Sequence, residues 1–149
     1  MKAVTNILAG LAGAVVLNII HETARKYRKD APHINEIGEE AISKTIKAAG
    51  YNPPKGKKLY AATLGSDIGS NALYFGMIGT GDQSNVWRKG IAFGLAAGLG
   101  ALGLTKPLGL NDAPVNRSIA TKVMTVAWYT LGGIATAGIL KLLNWRNHS

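Results

Sequence analysis

Four long apolar runs alternate with short basic segments, and this alternation constrains the chain more than any other feature. The runs cover about residues 3–21, 59–79, 89–105 and 119–140. A helix rises about 1.5 Å per residue, so roughly 20 apolar residues cross the 30 Å hydrocarbon core of a bilayer. A soluble domain of 149 residues would mix charge into every surface helix. Here 47% of residues are apolar, only 17% are charged, and the charge gathers between the runs. The expected fold is one all-α integral membrane domain over 1–149. It has four transmembrane helices in a bundle packed through small residues, and an amphipathic interfacial helix between the first and second spans.

The first run ends in Leu17-Asn18-Ile19-Ile20-His21-Glu22, which offers no small residue for signal cleavage. Arg25, Lys26, Arg28 and Lys29 then stop transfer, so the run reads as a retained helix continuing into a charged stem. Over about 32–49, Ile34, Ile37, Ala41, Ile42, Ile46 and Ala49 recur at helical spacing, with acidic and basic residues on the other faces. Asp30-Ala31-Pro32 supplies its start, and Gly50, Asn52, Pro53 and Pro54 its end. Such a helix lies on the membrane surface or packs back on the bundle. The third run is short, about 22 Å as a helix over 90–104. It reads as a true span, since Arg88, Lys89 and Lys106 snorkel at its two ends, or as a re-entrant half-span continued by Pro107-Leu108-Gly109-Leu110, the first being favoured.

Counting Lys and Arg gives an orientation. The segments after the first and third runs hold twelve and the opposite side five, so both termini fall outside, as in a bacterial inner-membrane protein. Trp87 and Trp145 then share the outer interface with Arg88, Lys89 and Arg146. The net charge of +9 is explained by these flanks. Arg25, Lys26, Arg28, Lys29, Lys55, Lys57 and Lys58 are the expected contacts for anionic headgroups. No aromatic platform or nucleic-acid motif accompanies them, so nucleic acid is not an expected partner.

The second span has two distinct lines. Ala62, Gly65, Gly69, Ala72, Gly76 and Gly79 make a small-residue seam suited to close helix approach, and Gly90, Gly94 and Gly98 make a second seam in the third span. The seams serve either packing within the chain or a homo-oligomer. The other line is polar: Tyr60, Thr63, Asp67, Ser70 and Tyr74, with Asn71 beside them. Thr121, Thr125, Tyr129 and Thr136 form a matching line in the fourth span. A carboxylate at mid-span costs about 2.5–3.5 kcal/mol even on insertion scales, so Asp67 faces a partner or a water-filled cavity.

Two functions compete on this pattern. In the first, the polar lines form a path for a small cation or proton, with Asp67 central and Tyr60, Thr63, Ser70, Asn71, Tyr74, Thr125 and Tyr129 lining it. In the second, they are interhelical hydrogen bonds in a structural or accessory membrane protein that binds a partner helix or anionic lipid. Catalysis is not expected. The chain has no Cys, which excludes thiol redox chemistry and thiolate metal sites. No nucleophile motif, phosphate loop or paired-His metal spacing occurs. His21 and Glu22, read as a solvated interfacial pair, give only a weak case for acting on a lipid headgroup. No catalytic residue, cofactor or metal is assigned.

Overall fold

The computed structural model describes residues 2–146, without the side chains of 145 and 146. The anchoring expected of Trp145 and Arg146, and residue His148, therefore lie outside the described residues. Every regular element among the described residues is helical. They are α1 (Lys2–Tyr27), α2 (Ile34–Ala48), α3 (Gly56–Gly76, continued by a 3-10 turn at Met77–Gly79), α4 (Val86–Leu104), the single turn α5 (Ala113–Asn116) and α6 (Ile119–Arg146). Two of them, α1 and the stretch Ile119–Asn144 of α6, are long and apolar enough to cross a membrane.

The expected elements occur with small shifts. α1 runs past the apolar core to Tyr27 as the charged stem. α2 begins at Ile34 rather than at Pro32, because the linker before it is pulled onto the start of α6. There Arg117 donates to the Lys29 and Ala31 carbonyls, Thr121 Oγ1 donates to Asp30 O at 2.8 Å, and the His33 amide donates to Pro114 O at 3.0 Å. At its other end Gly50, at φ +85°, lets its own amide reach Lys47 O and the Tyr51 amide reach Ile46 O, which satisfies the last carbonyls.

The long helices are antiparallel neighbours, and glycines set their distances. Gly10 of α1 lies directly on Ala72 and Gly76 of α3, and Gly13 on Gly132 and Thr136 of α6. Gly90, Gly94 and Gly98 of α4 rest on Gly133, Thr130 and Val126 of α6. The order across the bundle is thus α3, α1, α6, α4, with α1 and α6 central. α3 and α4 scarcely touch. They meet near the α3–α4 turn, where Tyr74 donates to Phe93 O at 2.9 Å and the two rings lie 5.2 Å apart.

At that end Phe75, Ile78, Val86, Ala137 and Leu140 form a fully buried apolar core. At the other end, where the basic segments gather, α3 and α4 diverge and α2 lies across the gap. Gly38 permits this crossing, since a Cβ there would stand 2.6 Å from Thr63 Cγ2. α2 is also fastened to the turn after α4: Glu40 accepts the Asn111 amide at 2.8 Å, and Lys44 donates to Gly109 O. α2 therefore packs back on the bundle, one of the two placements its amphipathic pattern allowed.

Candidate functional site

The gap between α3 and α4 is a crevice of about 260 Å³, and Asp67 sits in its wall. Asn18 and Asn71 hold the carboxylate. Asn18 Nδ2 donates to Oδ2 at 2.9 Å and also to Ala14 O at 3.0 Å, while Asn71 Nδ2 donates to Oδ1 at 3.0 Å. Two neutral amides thus fix the group's orientation from α1 and from the next turn of α3. Among the described residues no Lys, Arg or His nitrogen lies within 4.0 Å of it.

The remaining walls differ in polarity, with Leu64 on the α3 side and Asn35 and Thr105 on the α2 and α4 side as exceptions. α1, α3 and α6 contribute Asn18, His21, Tyr60, Thr63 and Tyr129. α2, α4 and the turn that follows contribute Ile34, Ile37, Leu104, Leu108 and Leu110. His21 is 8% exposed and packs edge-on against Tyr129, with ring centroids 5.9 Å apart. Neither of its ring nitrogens has a hydrogen-bond partner, and nor does the Thr63 hydroxyl. Unpartnered buried polar atoms cost on the order of 1–3 kcal/mol each, so their collection around one cavity marks it as a place for a ligand or water.

Arg25 stands at the mouth. Its guanidinium bonds Glu22 at 2.7 Å and Asn35 Oδ1 at 3.0 Å, and lies 5.9 Å from the Tyr60 ring centroid. This one side chain ties α1 to α2 and covers α3. Of the residues expected at lipid headgroups, Arg25 is thus drawn into the crevice mouth, whereas Lys26, Arg28, Lys29, Lys55, Lys57 and Lys58 lie at the surface of that end of the bundle.

The expected polar line divides. Tyr60, Thr63, Asp67 and Tyr129 line the crevice, and Asn71 supports Asp67 from behind. Tyr74 instead bridges α3 and α4, and Thr125 is buried against its own helix with its hydroxyl on Thr121 O. Ser70 faces outward and bonds its own backbone at Asp67 O, so it does not line the crevice. The seam of α3 divides in the same way. Gly76 packs on Asn6 and Ile7, but Gly65 and Gly69 are exposed, and a Cβ added at either would meet nothing within 4 Å.

His21 is buried rather than solvated, which corrects its reading as an interfacial pair with Glu22. The signal lay in the spacing: Asn18, His21, Glu22 and Arg25 fall at i, i+3, i+4 and i+7, one face of α1. Read pairwise, His21 and Glu22 point apart; read as a line, all four border the crevice. No cluster of three or more His, Cys, Asp or Glu that could hold a metal ion occurs among the described residues. No family model, curated protein or solved structure matches the chain.

Proposed function

We propose that the chain is a four-span membrane protein that carries a small cation, with Asp67 as the charge-pairing site. α1 and α6 supply the two apolar spans, and α3 and α4 complete the bundle despite their polar residues. The observation that carries this reading is a carboxylate in the crevice wall held by two amides and paired with no cation among the described residues. An incoming cation supplies the missing charge, and the unpartnered Thr63 and His21 atoms supply neighbouring ligands. Beyond Asp67 the apolar core from Phe75 to Leu140 closes the route. That favours a carrier site exposed to one side at a time over an open pore.

On the distribution of Lys and Arg, the crevice end faces the cytoplasm and both termini lie outside, as for a protein of the bacterial inner membrane. The exposed lysines there meet anionic headgroups. The outward face at Gly65 and Gly69 supports contact with a second copy of the chain in the bilayer. An accessory protein without transport is the competing function, and Asp67 separates the two.

The test is flux into proteoliposomes for sodium, potassium, thallium and methylammonium, with proton movement followed by an internal pH dye. Wild-type protein should move at least one of these, and Asp67→Asn should abolish or reshape that flux. Identical behaviour of the two proteins across the panel would overturn the carrier reading.

A further inference from the structure

The crevice lies between α3 and α4, which scarcely touch, so its side is the least covered part of it. Its end is covered by α2, which is fastened before its start by Arg117 and the His33 amide and along its middle by Glu40 and Lys44. Arg25 fills what remains of the mouth between α1, α2 and α3. The back is the continuous contact of α1 with α6. The far end is the dry core around Phe75 and Ile78. Between α3 and α4, however, the lining is Leu64, Gly100, Ala101, Leu104, Thr105 and Leu108, mostly aliphatic. Gly100 contributes no side chain there, and Leu104 is 60% exposed. If α3 and α4 both span the bilayer, this side faces acyl chains.

We infer that the site takes an amphiphilic monocation, an organic ammonium with a hydrocarbon tail, which enters from the bilayer between α3 and α4. This rests on the carrier reading of Asp67 and specifies its substrate. The two-sided chemistry of the crevice carries it. An ammonium head placed at the polar wall donates to the unpaired Asp67 carboxylate and the Thr63 hydroxyl, while the tail lies on Ile37, Leu104 and Leu108. A small cation without a tail would engage the polar wall alone and leave the apolar wall unused. An anionic amphiphile would set its head against Asp67. Glu22, the other carboxylate at the cavity, is already neutralised by Arg25.

The protein, purified into phosphatidylcholine nanodiscs, is photolabelled with dodecylamine carrying a diazirine at the chain end, and the adducts are mapped by mass spectrometry. Adducts should fall on α3 and α4 around Leu64 and Leu104. Unlabelled dodecylamine should compete, and dodecanol and methylammonium should not. Loss of a desolvated charge partner should lower labelling about tenfold or more in Asp67→Asn. Leu104→Trp, at an exposed position that tolerates bulk, should lower it equally with Asp67 intact, and thermal unfolding confirms that both variants fold. Equal labelling in wild type and both variants, or adducts confined to the outer surface of α4 and α6, would overturn the inference. If methylammonium flux requires Asp67 while dodecylamine neither labels nor competes, the amphiphile falls and the carrier stands. If nothing requires Asp67, both fall.

Discussion

The same substitution, glycine to alanine, should have opposite effects on two sides of this bundle. At Gly98 of α4, an added Cβ stands 2.7 Å from Val126 Cα of α6. At Gly90 it stands 2.6 Å from Gly133 O and 2.9 Å from Ala137 Cβ. Ordinary contact begins at 3.4 Å, so α4 and α6 must separate by 0.7 Å at Gly98 and 0.8 Å at Gly90. The obstructing atoms are mostly backbone, and a helix that packs along its length cannot yield at one point. Overpacking of this kind costs about 1–3 kcal/mol, against a gain in helix propensity of up to about 1 kcal/mol for alanine over glycine. Gly90→Ala and Gly98→Ala should each lose up to about 2 kcal/mol net. Gly65→Ala and Gly69→Ala meet nothing within 4 Å and should be neutral or gain up to about 1 kcal/mol. Equilibrium unfolding in mixed micelles with increasing dodecyl sulfate, followed by circular dichroism, measures all four. If Gly98→Ala and Gly69→Ala agree within about 0.5 kcal/mol, the close α4–α6 approach is refuted. A loss at Gly69 that grows with protein concentration in the bilayer would instead place a second chain on that face.

Three further outcomes follow from single contacts. Tyr74→Phe removes the hydroxyl that bonds Phe93 O and should lower stability by about 0.5–1.5 kcal/mol in the same assay. Asn18→Leu removes the donor that links α1 to Asp67; it should cost about 1–3 kcal/mol and raise hydrogen exchange around Asp67. Glu40 is held below the usual carboxylate range, first by the Lys44 ammonium and then by the Asn111 amide. A depressed carboxylate contributes stability above its unfolded-state pKa and loses it as pH falls through the lower folded-state value. Exchange in residues 106–112 should therefore rise on acidification below the ordinary carboxylate range, and Glu40→Gln should show fast exchange already at neutral pH.

The helices were legible because apolar runs and basic flanks mark their lengths, and α2 followed from its apolar periodicity within two residues at each end. The way α3 uses its faces was not legible, for a geometric reason. Its seam from Ala62 to Gly79 averages fewer residues per turn than an α-helix, so the line winds through about 100° around the axis. Only its last members, Ala72, Gly76 and Gly79, meet α1. Nearer the N-terminus of α3 the inward positions are Thr63, Asp67 and Asn71, and Gly65 and Gly69 have rotated away. The polar line divides by the same arithmetic. Relative to Asp67, Asn71 lies about 40° to one side and Ser70 about 60° to the other. That difference decides that Asn71 is buried and Ser70 exposed. The part of the crevice contributed by α2 could not be foreseen, because amphipathicity leaves open what covers the apolar face.

Two of the residues that set α3 apart in hydropathy, Asp67 and Asn71, are ones the crevice needs. α1 and α6 are apolar enough to cross a membrane alone, and α3 is not, because it carries Ser66, Asp67, Ser70 and Asn71 in its middle. A helix in the middle of a soluble bundle would also bury its apolar side and show polar residues to water, yet α3 does the reverse with its most polar pair. Asp67 and Asn71 turn inward, whereas Leu73 and Met77 are 63% and 53% exposed. The exposed face of α1 is equally apolar, with Val4, Leu8 and Ile19 all more than half exposed. Surfaces of this kind need an apolar medium or another protein against them. Placed in a bilayer, α3 keeps its carboxylate inside the protein and its aliphatic residues outside, which is the arrangement a charged group within a membrane requires.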